Sequence, residues 1–141
     1  MIRRLYYAGP LFTAAERAWN AANAVLLRQR LAGTTLLLPQ DFCAACEQPG
    51  RPPDFGAIFA ACRDHLVSAD AVLAILDGAD ADSGTCWEIG FATARGLPVV
   101  GLRTDLRPAE DGGGNCMLTR SCVAVVRDLD AAIAALKRLP G

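Results

Sequence analysis

The sequence predicts an α/β fold: a doubly wound, five-stranded parallel sheet with helices on both faces. Three observations lead there. Short apolar runs alternate with helix-like segments from one end of the chain to the other. Several of these runs, Ala71 to Leu76 and Leu97 to Leu102 above all, lack polar alternation, so both of their faces must be covered. The chain has 141 residues, 52% of them hydrophobic, which is enough for one sizeable core and predicts a single domain over residues 1–141.

Each element has its own signal. Leu5 to Ala8 reads as a buried strand closed by Gly9-Pro10. Thr13 with Glu16 three residues on is a capping box, and it opens a helix from Ala14 to Leu31. Trp19, Ala22, Leu26 and Arg30 fall on one side of that helix, with Asn23 and Leu27 nearby, and Gly33 suits its C-terminal end. Thr35 to Leu38 is the second strand, stopped by Pro39. Periodicity is lost from Gln40 to Pro53, a long loop with a helical turn around Ala44-Ala45. Asp54 caps a helix to Val67 with Ile58, Ala61 and Cys62 inward. The strand Ala71 to Leu76 leads into an acidic loop, Asp77 to Gly84, and then a helix from Thr85 to Arg95 ended by Gly96. The strand Leu97 to Leu102 is followed by a loop to Asn115, a helical turn at Cys116 to Thr119, and a last strand, Cys122 to Val126. Asp128 caps a final helix, Leu129 to Leu139. Strands and helices in this alternation predict the flavodoxin-like strand order.

Composition excludes several function classes. Fourteen Lys and Arg against fifteen Asp and Glu give a net charge of −1, which does not suit a nucleic-acid carrier working by counterion release. No apolar run reaches the length of a membrane span, and the N-terminal apolar stretch is too short for a secretory signal, so a cytoplasmic location is expected. Gly9-Pro10-Leu11-Phe12 is not a dinucleotide-binding fingerprint. Lysine occurs only at Lys137, so there is no P-loop, and the single His65 with no Gly-x-Ser-x-Gly gives no serine hydrolase. Six cysteines, Cys43, Cys46, Cys62, Cys86, Cys116 and Cys122, read as structural thiols of a reducing compartment. Cys43-x-x-Cys46 has metal or redox spacing, but a zinc site needs two further ligands, and nothing in the sequence orders Cys62 and His65 toward it. Neither a metal nor an organic cofactor is expected.

In such a sheet the ligand crevice lies outside the carboxyl ends of the strands. That rule selects Tyr6 to Phe12, Pro39 to Phe42, Asp77 to Glu88 and Arg103 to Asn115. The third segment is the richest in polar groups. Thr85-x-x-Glu88 reads either as a second capping box or as a catalytic carboxylate at the start of a helix.

Three blocks carry a resemblance: Tyr6-Tyr7-Ala8-Gly9-Pro10-Leu11-Phe12, Ser68-Ala69-Asp70-Ala71-Val72-Leu73-Ala74, and Asp82-Ser83-Gly84-Thr85-Cys86-Trp87-Glu88-Ile89-Gly90-Phe91-Ala92. In order and spacing the chain resembles the nucleoside 2-deoxyribosyltransferase family, whose wider superfamily includes deoxynucleoside 5′-monophosphate N-glycosidases. The resemblance implies a retaining, two-step exchange at the anomeric carbon, with Glu88 as nucleophile and a nucleoside or nucleotide and a free base as small-molecule partners. It also implies that Tyr6 positions the carboxylate and that Asp64 serves base handling and proton transfer. Asp82 would hold sugar hydroxyls, beside Ser83 and Gly84. Gly9 permits close approach, and Phe12, with Phe42 and Trp87, would line the base site. Asn115 would reach the 5′ end of the sugar in a neighbouring subunit, so a homodimer or larger homo-oligomer completes the sites. Thr13, Arg17, Ser83 and Ser121 are the candidate contacts of a 5′-phosphate, and hydrolysis remains the alternative to transfer.

Overall fold

The computed structural model describes residues 2–46, 50–112 and 114–140. Five parallel strands form one sheet in the order β2-β1-β3-β4-β5: β1 Arg4–Ala8, β2 Thr35–Leu37, β3 Ala71–Ile75, β4 Val99–Leu102 and β5 Ala124–Val126. This is the flavodoxin-like arrangement. Crossover helices cover both faces: α1 Ala14–Arg30 and α6 Leu129–Lys137 on one, and α3 Phe55–Val67, α4 Ser83–Ala94 and α5 Cys116–Ser121 on the other. A short α2, Pro39–Phe42, runs into a 3₁₀ turn, Cys43–Cys46.

The pleat decides which side chains enter which core. Leu5 and Tyr7 join Leu73, Ile75, Val100 and Leu102 beneath α1 and α6. Tyr6 and Ala8 join Val72, Ala74, Leu76 and Val99 beneath α3 and α4. Every residue of β3 and β4 is buried, as two-sided coverage requires. Adjacent tyrosines on β1 therefore serve opposite cores.

Several expected signals operate as written. Thr13 and Glu16 form the full capping box of α1, Asp54 caps α3 and Asp128 caps α6. The helical turn expected near Ala44-Ala45 is the 3₁₀ turn, while residues 47–49 of that segment lie outside the described residues.

Three readings are corrected. Pro39 does not merely stop β2 but opens α2, since its missing N–H is one that a first helical turn leaves unbonded anyway. On α1 the buried residues are Asn20, Asn23, Ala24 and Leu27, while Trp19 and Leu26 face outward. Polar residues hold the inner face because the buried Tyr7 hydroxyl needs partners there: it donates to Asn20 at 3.1 Å and accepts from Asn23 at 3.2 Å. The acidic loop is also shorter than expected, because α4 begins at Ser83 and not at Thr85.

At the carboxyl edge, the loops after β3 and β4 are locked together. Arg103 is 1% exposed and donates to the carbonyls of Leu76, Gly78 and Arg107. Asp77 accepts from the backbone N–H groups of Thr104 and Asp105. Arg107 beside Asp105 holds that carboxyl well below the usual range.

Candidate active site

Asp82, not Thr85, caps α4: its Oδ2 accepts the Thr85 N–H at 3.0 Å, and Thr85 itself is buried in the first turn. The Thr85–Glu88 capping box therefore does not form. Glu88 falls in the second turn, where its backbone N–H is already committed to the helix and its side chain has no capping role. The carboxylate is instead directed at β1. The Tyr6 hydroxyl donates to Glu88 Oε1 at 2.5 Å, across 82 residues of sequence.

This pair lies in an apolar setting. Tyr6 is fully buried, with Val72, Ala74 and Ile89 in the same core. Burial pushes the Glu88 carboxyl up to about 7; the Tyr6 hydrogen bond pulls it down, and the Asp82 charge pushes it up. Burial, and then the charge of Glu88, raise the Tyr6 phenol well above its ordinary value, so it stays protonated and remains a donor. Near neutral pH Glu88 is thus a partly ionised carboxylate with one oxygen fixed by Tyr6 and the other, Oε2, available. That suits a nucleophile or a general base.

The surroundings are aromatic and sulfur-rich. The Phe42 ring is 6.4 Å from that of Tyr6 and stacks on the His65 imidazole, with centroids 3.9 Å apart and planes within 1°. His65 Nδ1 faces the Ala61 carbonyl at 2.8 Å, which can only accept, so Nδ1 carries the proton. Burial pushes up the thiol of Cys62, one turn before His65, and Tyr6 and Glu88 both act on it. Gly9 lies at the end of β1, where a Cβ would come within 2.9 Å of Ile75 Cγ1, so only glycine lets the chain leave the strand along this path.

The other anticipated site residues lie around this pair as follows. Asp64 is turned outward and paired with Arg63 at 2.8 Å, its side chain 65% exposed. The physical reason is helix phase: Asp64 follows Cys62 by two positions, about 200° around α3, so the two side chains leave the helix on opposite sides, and the Glu88 charge acts on the Cys62 thiol. Phe12 is 71% exposed, in a turn pinned by Arg17, whose Nη1 donates to the Leu11 and Phe12 carbonyls. Trp87 packs on the outer surface against Phe59 and Phe91, away from Tyr6. Ser83 and Gly84 lie exposed in the first turn of α4 beside Asp82. Asn115 caps α5 and shares a 320 Å³ cavity with Asp80, Cys86 and Arg103, which Glu88 does not line. Among the described residues, no group of three or more His, Cys, Asp or Glu is arranged to hold a metal. None of their helices is long and apolar enough to cross a membrane.

The family model for nucleoside 2-deoxyribosyltransferase matches residues 5–131, which include β1 with Tyr6 and α4 with Glu88. The chain belongs to the nucleoside 2-deoxyribosyltransferase family. This is a family of enzymes, and it acts on nucleosides or nucleotides and bases. A conserved protein from Enterococcus faecalis V583 is similar over 98% of this chain and 99% of its own, with 28% identity and a TM-score of 0.85. A 2-deoxyribosyltransferase from Bacillus psychrosaccharolyticus is similar over 92% of this chain and 90% of its own, with 25% identity and a TM-score of 0.75. The CMP N-glycosidase of Clostridium botulinum shares the fold at 17% identity, over 96% of this chain and 98% of its own, with a TM-score of 0.57. No curated protein matches the sequence.

Proposed function

We propose that the protein transfers 2-deoxyribose from one nucleobase to another through a covalent ester on Glu88. The supporting observation is the part-buried Tyr6–Glu88 pair, with the carboxyl pushed up to about 7. Tyr6 occupies Oε1, and Oε2 attacks C1′ of the donor nucleoside. The C1′–N bond breaks, its electron pair leaves with the base, and the base takes up a proton. The incoming base then attacks C1′, releases Glu88 as carboxylate and gives up its own proton. Two displacements on one carbon retain configuration. The part-buried charge, held in place by Tyr6, also stabilises the oxocarbenium-like transition state, because a fixed carboxylate counts for more than one free in solvent.

Asp82 gives Oδ2 to its helix cap and keeps Oδ1 for a sugar hydroxyl. Phe42, flat against His65 and beside Tyr6, is placed to stack on a base. In this reading Asn115 serves the site of a second copy of the chain, which makes the active form a homo-oligomer.

One observation favours hydrolysis as the second reading. Ser83 and Gly84 are exposed in the first turn of α4, where free helix N–H groups favour a phosphate, and the CMP N-glycosidase shares the fold. The deciding experiment supplies a 2′-deoxynucleoside with and without a 5′-phosphate, and with and without a second base, to wild type and Glu88→Ala. New nucleoside that needs the acceptor, and falls by about a thousandfold or more in the variant, is the expected result. Deoxyribose 5-phosphate released without acceptor would replace transfer by hydrolysis.

A further inference from the structure

The cysteines nearest the nucleophile are paired, though not as their spacing suggests. Cys43, the first residue of the 3₁₀ turn, lies 3.6 Å from Cys62 on α3, sulfur to sulfur. Both are free thiols, and Cys43 is buried. Cys62 meets Cys43, and its thiol is also acted on by the Tyr6 hydroxyl, which donates to Glu88. The charge of Glu88 acts on both thiols. A disulfide needs a sulfur separation of about 2.05 Å, so closing this gap takes about 1.5 Å, shared between two side chains.

We propose that Cys43 and Cys62 are a redox-active dithiol that a small-molecule disulfide closes into a bond behind Tyr6 and Glu88, slowing the reaction there. The second half of this proposal rests on the reaction proposed above. Cys62 is the less buried of the two and is the one that attacks. Its thiolate attacks one sulfur of the reagent RS–SR, whose S–S bond breaks, and the departing RS⁻ takes the proton Cys62 has lost. The Cys43 thiolate then attacks Cys62 Sγ in the mixed disulfide and expels the second RS⁻, which takes the Cys43 proton. The dithiol is oxidised by two electrons and RS–SR is reduced to two RSH. Burial pushes the Cys43 thiol up to about 12 and raises Cys62 as well, so closure is slow at neutral pH and quickens as pH rises. Once closed, Cys62 is no longer a thiol and its sulfur is drawn toward Cys43, which changes what the Tyr6 hydroxyl meets on that side. The hydroxyl that orients Glu88 loses a neighbour.

The test treats the reduced full chain with oxidised glutathione at mildly alkaline pH, followed by intact mass and a peptide map. The expected result is loss of two hydrogens and a Cys43–Cys62 linkage, unchanged in Cys46→Ser. Cys43→Ser, or Cys43→Ala if serine unfolds the protein, should instead hold glutathione on Cys62. A Cys43–Cys46 linkage, or no linkage, overturns the dithiol. Turnover of the oxidised protein should fall by about tenfold, the effect of weakening one hydrogen bond to a charged group, and return with dithiothreitol. The Glu88 titration, followed by carbon NMR, should move upward on oxidation whatever the turnover. A mapped disulfide with an unmoved titration overturns the coupling. A reduced protein with no turnover counts against the proposed reaction, while the map and the titration still decide this one.

Discussion

Tyr6 and Tyr7 are neighbours on β1, both essentially unexposed, and burial raises the phenol of each. Their partners differ. Tyr7 points to the α1 side and shares its hydroxyl with two neutral amides, Asn20 and Asn23. Asn20 in turn donates to the Pro10 carbonyl at 2.8 Å, so the cluster ties the exit of β1 to α1. Tyr6 points to the α4 side and donates a hydrogen bond to a carboxyl that titrates near neutrality. A buried hydroxyl with neutral partners satisfies the core; one aimed at a raised carboxyl sets the charge and direction of a reactive group. Burial is the same on both faces, so the partner separates structure from chemistry.

The largest effect expected from breaking this symmetry is on Tyr6→Phe. Losing a hydrogen bond to a charged group removes about 1.5–3 kcal/mol, so kcat/KM should fall by about ten- to a hundredfold. The Tyr6 bond holds the Glu88 pKa down, so its loss should also move the acid limb of the pH profile upward by about one unit. A fall in rate with an unmoved limb would mean that Tyr6 acts only through packing.

The Glu88 carboxyl also makes stability depend on pH. Its folded value, about 7, lies above the ordinary 4.5, so the native state holds the proton more tightly. The stability this contributes is fully present below about 4.5 and is lost as pH rises through about 7, a change of about 3 kcal/mol. Glu88→Gln has no such titration. Relative to wild type it should therefore gain stability between pH 5 and pH 8 in urea melts, and a difference that stays flat would place Glu88 in water.

On the other face, Tyr7→Phe leaves Asn20 and Asn23 short of a partner in the core. It should cost about 1–2 kcal/mol of stability and leave the pH profile of the reaction where it was. A moved acid limb would show that the two faces are coupled through β1.

Much of this contrast was legible in the sequence, for definite reasons. Unbroken apolar runs such as Ala71 to Leu76 announced two-sided burial, and Thr13-x-x-Glu16 announced the start of α1. That Tyr6 and Tyr7 take opposite faces follows from the strand repeat of two. That Tyr6 has an acidic partner does not; it came from the family resemblance, because the bond to Glu88 spans 82 residues and depends on how α4 sits over β1. Helix phase was the other hidden quantity. Asp82 and Thr85 are both good caps, and choosing between them moved Glu88 from the first turn to the second. Cys62 and Asp64 are both chemically able, and only the packing of α3 shows which one the carboxylate acts on. The Cys43–Cys62 contact joins elements 19 residues apart and has no local signature.

The smallest expected effect is on Asp64→Asn, and it tests the phase of α3. Asp64 is solvent-exposed and pairs with its neighbour Arg63, an arrangement worth at most about 1 kcal/mol. Glu88 feels Tyr6 and Asp82, and Asp64 is not among the groups that shift it. The substitution should therefore change kcat/KM by less than about twofold and leave the acid limb in place. Cys62→Ala, on the inward side of the same helix, should change the rate more than Asp64→Asn does, because its sulfur borders the Tyr6 hydroxyl and Asp64 does not. If Asp64→Asn proved the more damaging, α3 would have to turn by about half a revolution during the reaction, or a second copy of the chain would have to bring Asp64 to another site.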